Sequence, residues 1–183
     1  MSKIGRKSID IKGLDVKVNG QNISIKGPNF ACEHELPYFL RAKIEDDALS
    51  VGFKDDYSKK LQRENKSHWG LHRALLANKV SGARKDFERQ LKITGLGFKA
   101  QLNGSKVQLS LGYTHKIDLD LPKGVKLDID KTGQILNFKS AEKDTLGHFC
   151  DRVRALRPTE PYKGTGIKFE EEVIFRKAGK AKS

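Results

Sequence analysis

Cysteine is scarce in this chain: Cys32 and Cys150 are the only two among 183 residues. Standing far apart, they form neither a CxxC metal knuckle nor the dense framework of a small secreted scaffold, so a reducing cytoplasm is the expected setting. Long apolar runs are missing too. No stretch reaches the ~18 residues a membrane helix needs, and no basic segment continues a strongly apolar helical face, so no membrane partner is expected. The first residues are basic, but Ile9, Ile11 and Leu14 are interrupted by Asp10, Lys12 and Asp15, and no export signal is read there.

Compensating acid is also in short supply. Lysine and arginine number 36 against 23 acidic residues, a formal charge of +13. No core needs such an excess. It points to a polyanionic partner, and with the membrane set aside that partner is nucleic acid, whose counterions are released as cations approach. Hydrophobic residues at 37% and charged residues at 32% still suit a folded chain with thin cores.

Catalytic chemistry is absent as well. Gly95-Leu96-Gly97-Phe98-Lys99-Ala100 has the spacing of a dinucleotide-binding turn. That motif requires a following helix, whereas here an alternating segment runs straight to Asn103-Gly104, so the glycines are read as a bend between strands. His68 and His72 stand one helical turn apart, but no third ligand accompanies them, and they are read as packing residues. Neither cysteine has a neighbouring base, and Lys163-Gly164-Thr165-Gly166 lacks the spacing of a phosphate-binding loop. No enzyme, cofactor or metal site is expected.

Self-similarity organises the rest. Val16-Lys17-Val18-Asn19-Gly20-Gln21-Asn22-Ile23-Ser24-Ile25 alternates around an Asn-Gly turn, and Ala100-Gln101-Leu102-Asn103-Gly104-Ser105-Lys106-Val107-Gln108-Leu109 repeats the pattern. Asn-Gly suits the positive φ of a tight hairpin. Residues Ile44 to Val51, and Leu127 to Asp130 with Ile135 to Phe138, give each half a second strand pair. Each half then turns helical. Leu61, Trp69, Leu75, Leu76 and Val80 share one broad face, and Leu146, Phe149, Cys150 and Val153 follow i, i+3, i+4, i+7. The expected fold is α+β in two tandem similar domains, each a small, mostly antiparallel sheet covered by one helix. The boundary is expected near Ser81-Gly82, where glycine can end the first helix, giving domains 1–82 and 83–183.

Binding chemistry concentrates after the second helix. Arg154 and Arg157 can grip phosphates through paired N–H groups, Lys163 and Lys168 can neutralise them, and Tyr162 offers a ring to a sugar or base. Pro158 stops the helix, and Gly164 and Gly166 are read as letting an RNA backbone approach closely. Val173-Ile174-Phe175 is expected as a short strand. Arg176, Lys177 and Lys180 belong to a basic tail expected to order only on RNA.

Glu160-Pro161-Tyr162-Lys163-Gly164-Thr165-Gly166-Ile167 resembles the signature of the bacterial large-subunit ribosomal protein six family. The likeness extends in order through Ser2 to Lys7, His72 to Asn78, Gly95 to Ala100, Leu111 to His115 and Arg176 to Lys180. The resemblance implies a structural constituent of the large ribosomal subunit in the cytoplasm, bound mainly through its second domain to large-subunit rRNA. It places that contact near the sarcin–ricin loop, with other large-subunit proteins as neighbours and translation factors docking nearby. The family's usual proline is Ser8 here, another is Thr159, and its usual lysine is Thr165. The segments Pro28 to Lys43 and Phe53 to Lys66 match poorly, so no first-domain contact is carried over. The rivals are an RNA-binding protein outside the ribosome and a nucleotide-dependent enzyme using Gly95 and Gly97.

Overall fold

The computed structural model describes residues Lys3–Gly179, and both alternating Asn-Gly segments become paired strands in it. The chain divides between Asp86 and Phe87 into two compact units. The first contains β1 (Ile9–Asp10), β2 (Asp15–Asn19), β3 (Asn22–Lys26), β4 (Ala31–Glu35), β5 (Leu40–Glu45) and β6 (Ala48–Phe53). The helices α1 (Lys59–Glu64) and α2 (Lys66–Arg84) follow. One antiparallel sheet runs β2-β3-β4 and another β1-β6-β5. The β2–β3 hairpin puts Asn19 opposite Asn22, with Gly20 at φ 63°. Between β5 and β6 both turn residues, Asp46 and Asp47, are left-handed, at φ 43° and 60°, a conformation that aspartate tolerates better than most residues.

Ile23 and Ile25 of β3, Leu49 of β6 and Leu76 and Val80 of α2 close the first core. Trp69 adds its ring, and its buried indole N–H donates to the Val51 carbonyl at 2.7 Å. The single helical face expected from Leu61 onward is broken at Asn65, and Leu61 is exposed on the short α1. The helix expected to stop at Gly82 runs on to Arg84. Tertiary contacts hold this last turn: Arg84 Nη2 donates to the carbonyls of Asp10 at 2.9 Å and Lys12 at 3.1 Å. Gly27 packs directly against Ala83, where a Cβ would lie 2.3 Å from the helix carbonyl oxygen.

The second unit repeats this order with β7 (Phe87–Thr94), β8 (Lys99–Asn103), β9 (Lys106–Ser110), β10 (Ile117–Asp120), β11 (Val125–Ile129), β12 (Ile135–Ser140) and α3 (Lys143–Leu156). It then adds β13 (Gly166–Phe169). The sheet β10-β9-β8 matches β2-β3-β4, and β11-β12-β7 matches β5-β6-β1, extended here by β13 on the far edge of β7. The fold is therefore α+β in two tandem similar domains. Leu146, Phe149, Cys150 and Val153 all point from α3 into the core. Burial pushes the Cys150 thiol up to about 11, which makes it packing and not a nucleophile.

The strand expected at Val173-Ile174-Phe175 does not form, and Val173 and Phe175 stand 79% and 88% exposed. The strand lies earlier, inside the segment read as an RNA-facing loop. The open edge of β7 is the reason: it pairs Ile93 with Ile167, whose side chain is fully buried. Among the described residues, no helix is long and apolar enough to cross a membrane.

Candidate nucleic-acid interface

The site begins where α3 ends. Arg157 caps the helix with a non-helical backbone, and its carbonyl accepts the Ile167 N–H at 2.8 Å. A parallel bridge joins Pro158 to Ile167, so the chain leaves the helix, loops out and returns beside itself. The loop is closed by the Glu160 N–H donating to the Thr165 carbonyl and the Gly164 N–H donating to the Glu160 carbonyl, both at 2.9 Å. The Thr165 hydroxyl also donates to the Glu160 carboxylate at 3.1 Å. Tyr162 and Lys163 occupy the tip.

Both glycines have a reason within the chain itself. Gly166 has φ 135°, and a Cβ there would lie 2.6 Å from the Pro158 carbonyl oxygen and 2.8 Å from the Thr159 Cα. Gly164, at φ 71°, is buried under the Arg176 guanidinium, 3.3 Å from where its Cβ would be. Both are therefore fixed by turn conformation and by close approach of their own backbone or of Arg176. No RNA backbone is needed to explain them.

The expected cations separate into two sets. Arg154 is engaged: its Nε and Nη2 donate to the Glu172 carboxylate at 2.9 and 2.5 Å, and it lies over the Phe169 ring. The hydrogen bond to Glu172 raises the Arg154 pKa, and the same bond holds the Glu172 carboxyl below its ordinary value. Lys168, half-buried, reaches the Glu172 carbonyl at 3.4 Å. Arg157 lies over Tyr113 at 5.0 Å and Phe98 at 5.9 Å. Lys163 is different, being exposed with no side-chain partner among the described residues.

The tail is anchored at its first two residues, Arg176 and Lys177. The Lys177 N–H donates to the Pro161 carbonyl at 2.9 Å, and with Arg176 on Gly164 this brings Tyr162, Lys163, Arg176 and Lys177 together around one loop. Lys180 lies outside the described residues.

Sequence reasoning missed the aromatic support of this corner. Tyr113 donates its hydroxyl to the Leu156 carbonyl at 2.8 Å, closing the last turn of α3. Phe98 is seated by Gly95 and Gly112, whose Cβ atoms would fall 2.5 and 2.7 Å from its ring. The Gly95-Leu96-Gly97 spacing is thus a ring-seating bend that leads into β8. The signal was present in the glycine-aromatic motifs, but their convergence on Arg157 depends on tertiary packing.

Comparison with known proteins bears on the same segment. The family model described as Ribosomal protein L6 matches residues 94–170, which run from the end of β7 through the loop and β13. Over the full chain, the large ribosomal subunit protein uL6 of Natranaerobius thermophilus is 38% identical across 181 residues, covering 98% of each chain. That of Beijerinckia indica is 38% identical across 183 residues, covering 100% of each. That of Crocosphaera subtropica is 35% identical across 182 residues, covering 99% of this chain and 98% of the relative. The chain belongs to the uL6 family of ribosomal proteins.

Membership in uL6, a structural family, makes the protein a non-enzyme. It also gives context to Thr165, where the resemblance implied lysine. In this uL6 chain the position faces Glu160 across the loop, so its side chain contributes a neutral hydrogen bond to loop closure.

Proposed function

We propose that this chain is a structural constituent of the large ribosomal subunit in the cytoplasm, where its second unit binds and stabilises folded rRNA through the loop 158–166 and the arm that follows β13. On this reading the contact lies near the sarcin–ricin loop, on the side where translation factors dock, among other large-subunit proteins. The supporting observation is Lys163: an exposed cation without an internal partner, at the tip of a loop braced by four backbone hydrogen bonds, beside Tyr162, Arg176 and Lys177. A rigid loop loses little entropy when a phosphate meets it. Arg154 acts indirectly, by holding the turn at Phe169–Glu172 from which the arm departs. Arg157 and Lys168, though braced, can each still face a phosphate. The mechanism is neutralisation of packed phosphates and fitting of shape, without base reading.

The test is cosedimentation of the full chain with large subunits through a high-salt wash, followed by nucleotide-resolution crosslinking. Retention with crosslinks from Tyr162 or Lys163 to rRNA is expected. Release by the wash would indicate an RNA-binding protein outside the ribosome. Crosslinks to RNA remote from the sarcin–ricin loop would remove the finer placement and keep the constituent role.

A further inference from the structure

The first unit is not electrostatically idle. Residues 1–86 carry seventeen of the 36 basic residues and eleven of the 23 acidic ones, so nearly half of the net charge lies outside the unit discussed above. Part of it gathers at one place. A groove of about 900 Å³ opens between the end of β6 and the helices α1 and α2, lined by Lys54, Lys59, Arg63 and Lys66 around Phe53 and Trp69.

Three features set it apart from a merely solvated basic face. First, Lys54, Lys59, Arg63 and Lys66 are all exposed, and none has a side-chain partner among the described residues. Second, the one acidic residue on the lining, Asp55, is already held by both Nη atoms of Arg41, with Nη2 at 2.6 Å from Oδ1. The neighbouring carboxylates Asp56 and Glu64 do not line the groove. Third, the apolar floor is rigid. Phe53 stacks parallel on Tyr57 with ring centroids 5.9 Å apart and packs on Trp69 at 5.4 Å, while the Trp69 indole is tied to Val51.

We propose that this groove is a second RNA-binding surface, taking a stretch of single-stranded RNA with its phosphates against the four cations and a sugar or base edge against Phe53 and Trp69. Cations tracking a backbone around an aromatic floor are the chemistry of strand binding that does not read sequence. The volume lies within the range of sites that enclose small organic groups, so one or two nucleotides fit. An acidic protein segment would meet the same charge, but it would not use the ring floor. The proposal goes beyond the loop of the second unit and does not depend on which rRNA that loop meets.

Trp69 makes the test direct, because it is the single tryptophan of the chain. The full-length protein is titrated with a short single-stranded oligoribonucleotide and with isolated large-subunit rRNA, and tryptophan fluorescence is followed. A saturable change is expected with both. The variant Lys59→Gln/Arg63→Gln/Lys66→Gln should keep the melting temperature, since none of the three side chains has an internal partner, yet lose the fluorescence response. Its rRNA affinity at fixed salt should fall by at least roughly tenfold, and its log–log salt slope should become shallower by about two to three units. The proposal is overturned if rRNA binds with Trp69 unmoved and the triple variant keeps the native slope. It is equally overturned if the variant binds RNA normally but releases a protein from reconstituted subunits, which would make the groove a protein contact. A loss of binding confined to Lys163→Gln would count against this groove and leave the reading of the loop intact.

Discussion

Arg154 and Glu172 face each other as a two-pronged pair, Nε to Oε2 at 2.9 Å and Nη2 to Oε1 at 2.5 Å, tying the last full turn of α3 to the turn that ends β13. The Glu172 carboxylate also accepts from the Phe169 N–H at 3.4 Å, so it sits at the centre of the turn from which the C-terminal arm leaves. The pair therefore controls where Arg176 and Lys177 start.

Glu172→Gln is expected to lower the stability of the second unit by about 1 kcal/mol. Because the side chains are 38% and 26% exposed, solvent screening keeps the value near that of a well-placed surface pair. The folded pKa of Glu172 is depressed, chiefly by the Arg154 hydrogen bond. Its contribution is thus fully present above the ordinary glutamate range and is lost as pH falls through the folded value. Thermal melts of the wild type, both single variants and Arg154→Gln/Glu172→Gln would measure the coupling. Purely additive losses would show that the pair adds nothing.

Gly166→Val is expected to damage folding more than binding. The new Cβ would be 2.6 Å from the Pro158 carbonyl oxygen, on a backbone at φ 135° that L residues rarely adopt. Strain of this type costs about 1–3 kcal/mol, so the melting temperature of the second unit should fall by several degrees. The folded fraction should bind rRNA normally. Unchanged melting with a large loss of affinity would return the glycine to an RNA-facing role.

Much of this architecture could be read from residues. Asn19-Gly20 and Asn103-Gly104 mark hairpins because each glycine takes a positive φ in the turn while each asparagine ends its strand, and Leu146, Phe149, Cys150 and Val153 mark the covering face of α3. The Asp46-Asp47 turn and the short strand β1 were less legible, since neither carries a strong propensity. The site was legible as a segment and not as a geometry. Arg154, Arg157, Lys163 and Lys168 look alike in sequence, yet Glu172 and the rings of Phe98, Tyr113 and Phe169 engage three of them. Pairing across the fold, which composition does not encode, separates braced cations from the exposed one. Val173 and Phe175 misled for a related reason: β-propensity makes a strand only where an edge is open, and Ile167 already occupies the edge of β7.

Lys163→Gln isolates that exposed cation. With no internal partner to lose, melting should be unchanged, while the dependence of log affinity on log salt becomes shallower by somewhat less than one unit, the mark of one lost phosphate contact. Filter binding over a salt series measures it, and an unaltered slope would make Lys163 a solvated side chain.

The last expectation concerns acid sensitivity of the first unit. His34 of β4 is 8% exposed, and its Nε2 lies 3.0 Å from Nδ1 of His72 on α2. One nitrogen must donate and the other accept, so the contact needs at least one neutral acceptor, and two imidazolium rings would oppose N–H to N–H. Burial first, then the charges of Lys79 and His72, push the His34 pKa down to about 4. Burial first, then His68, lowers that of His72. For a base whose folded pKa lies below its unfolded one, protonation favours the unfolded chain. Stability is therefore fully present above the unfolded value near ~6.5 and declines as pH falls toward the folded values, by about 1.4 kcal/mol for each unit of depression. Trp69 belongs to the same core, so its fluorescence follows the first unit alone in melts of the full chain. Between about pH 7 and 4.5 its melting temperature should drop, and His34→Gln, which keeps a hydrogen-bonding side chain without a titrating ring, should flatten the drop while lowering stability at neutral pH. The carboxyl of Asp10, held below its ordinary value chiefly by the Lys12 N–H, acts mainly toward the acid end of this window and below it. An equally steep decline in the variant would assign the acid sensitivity to other groups and leave the His34–His72 contact a packing feature.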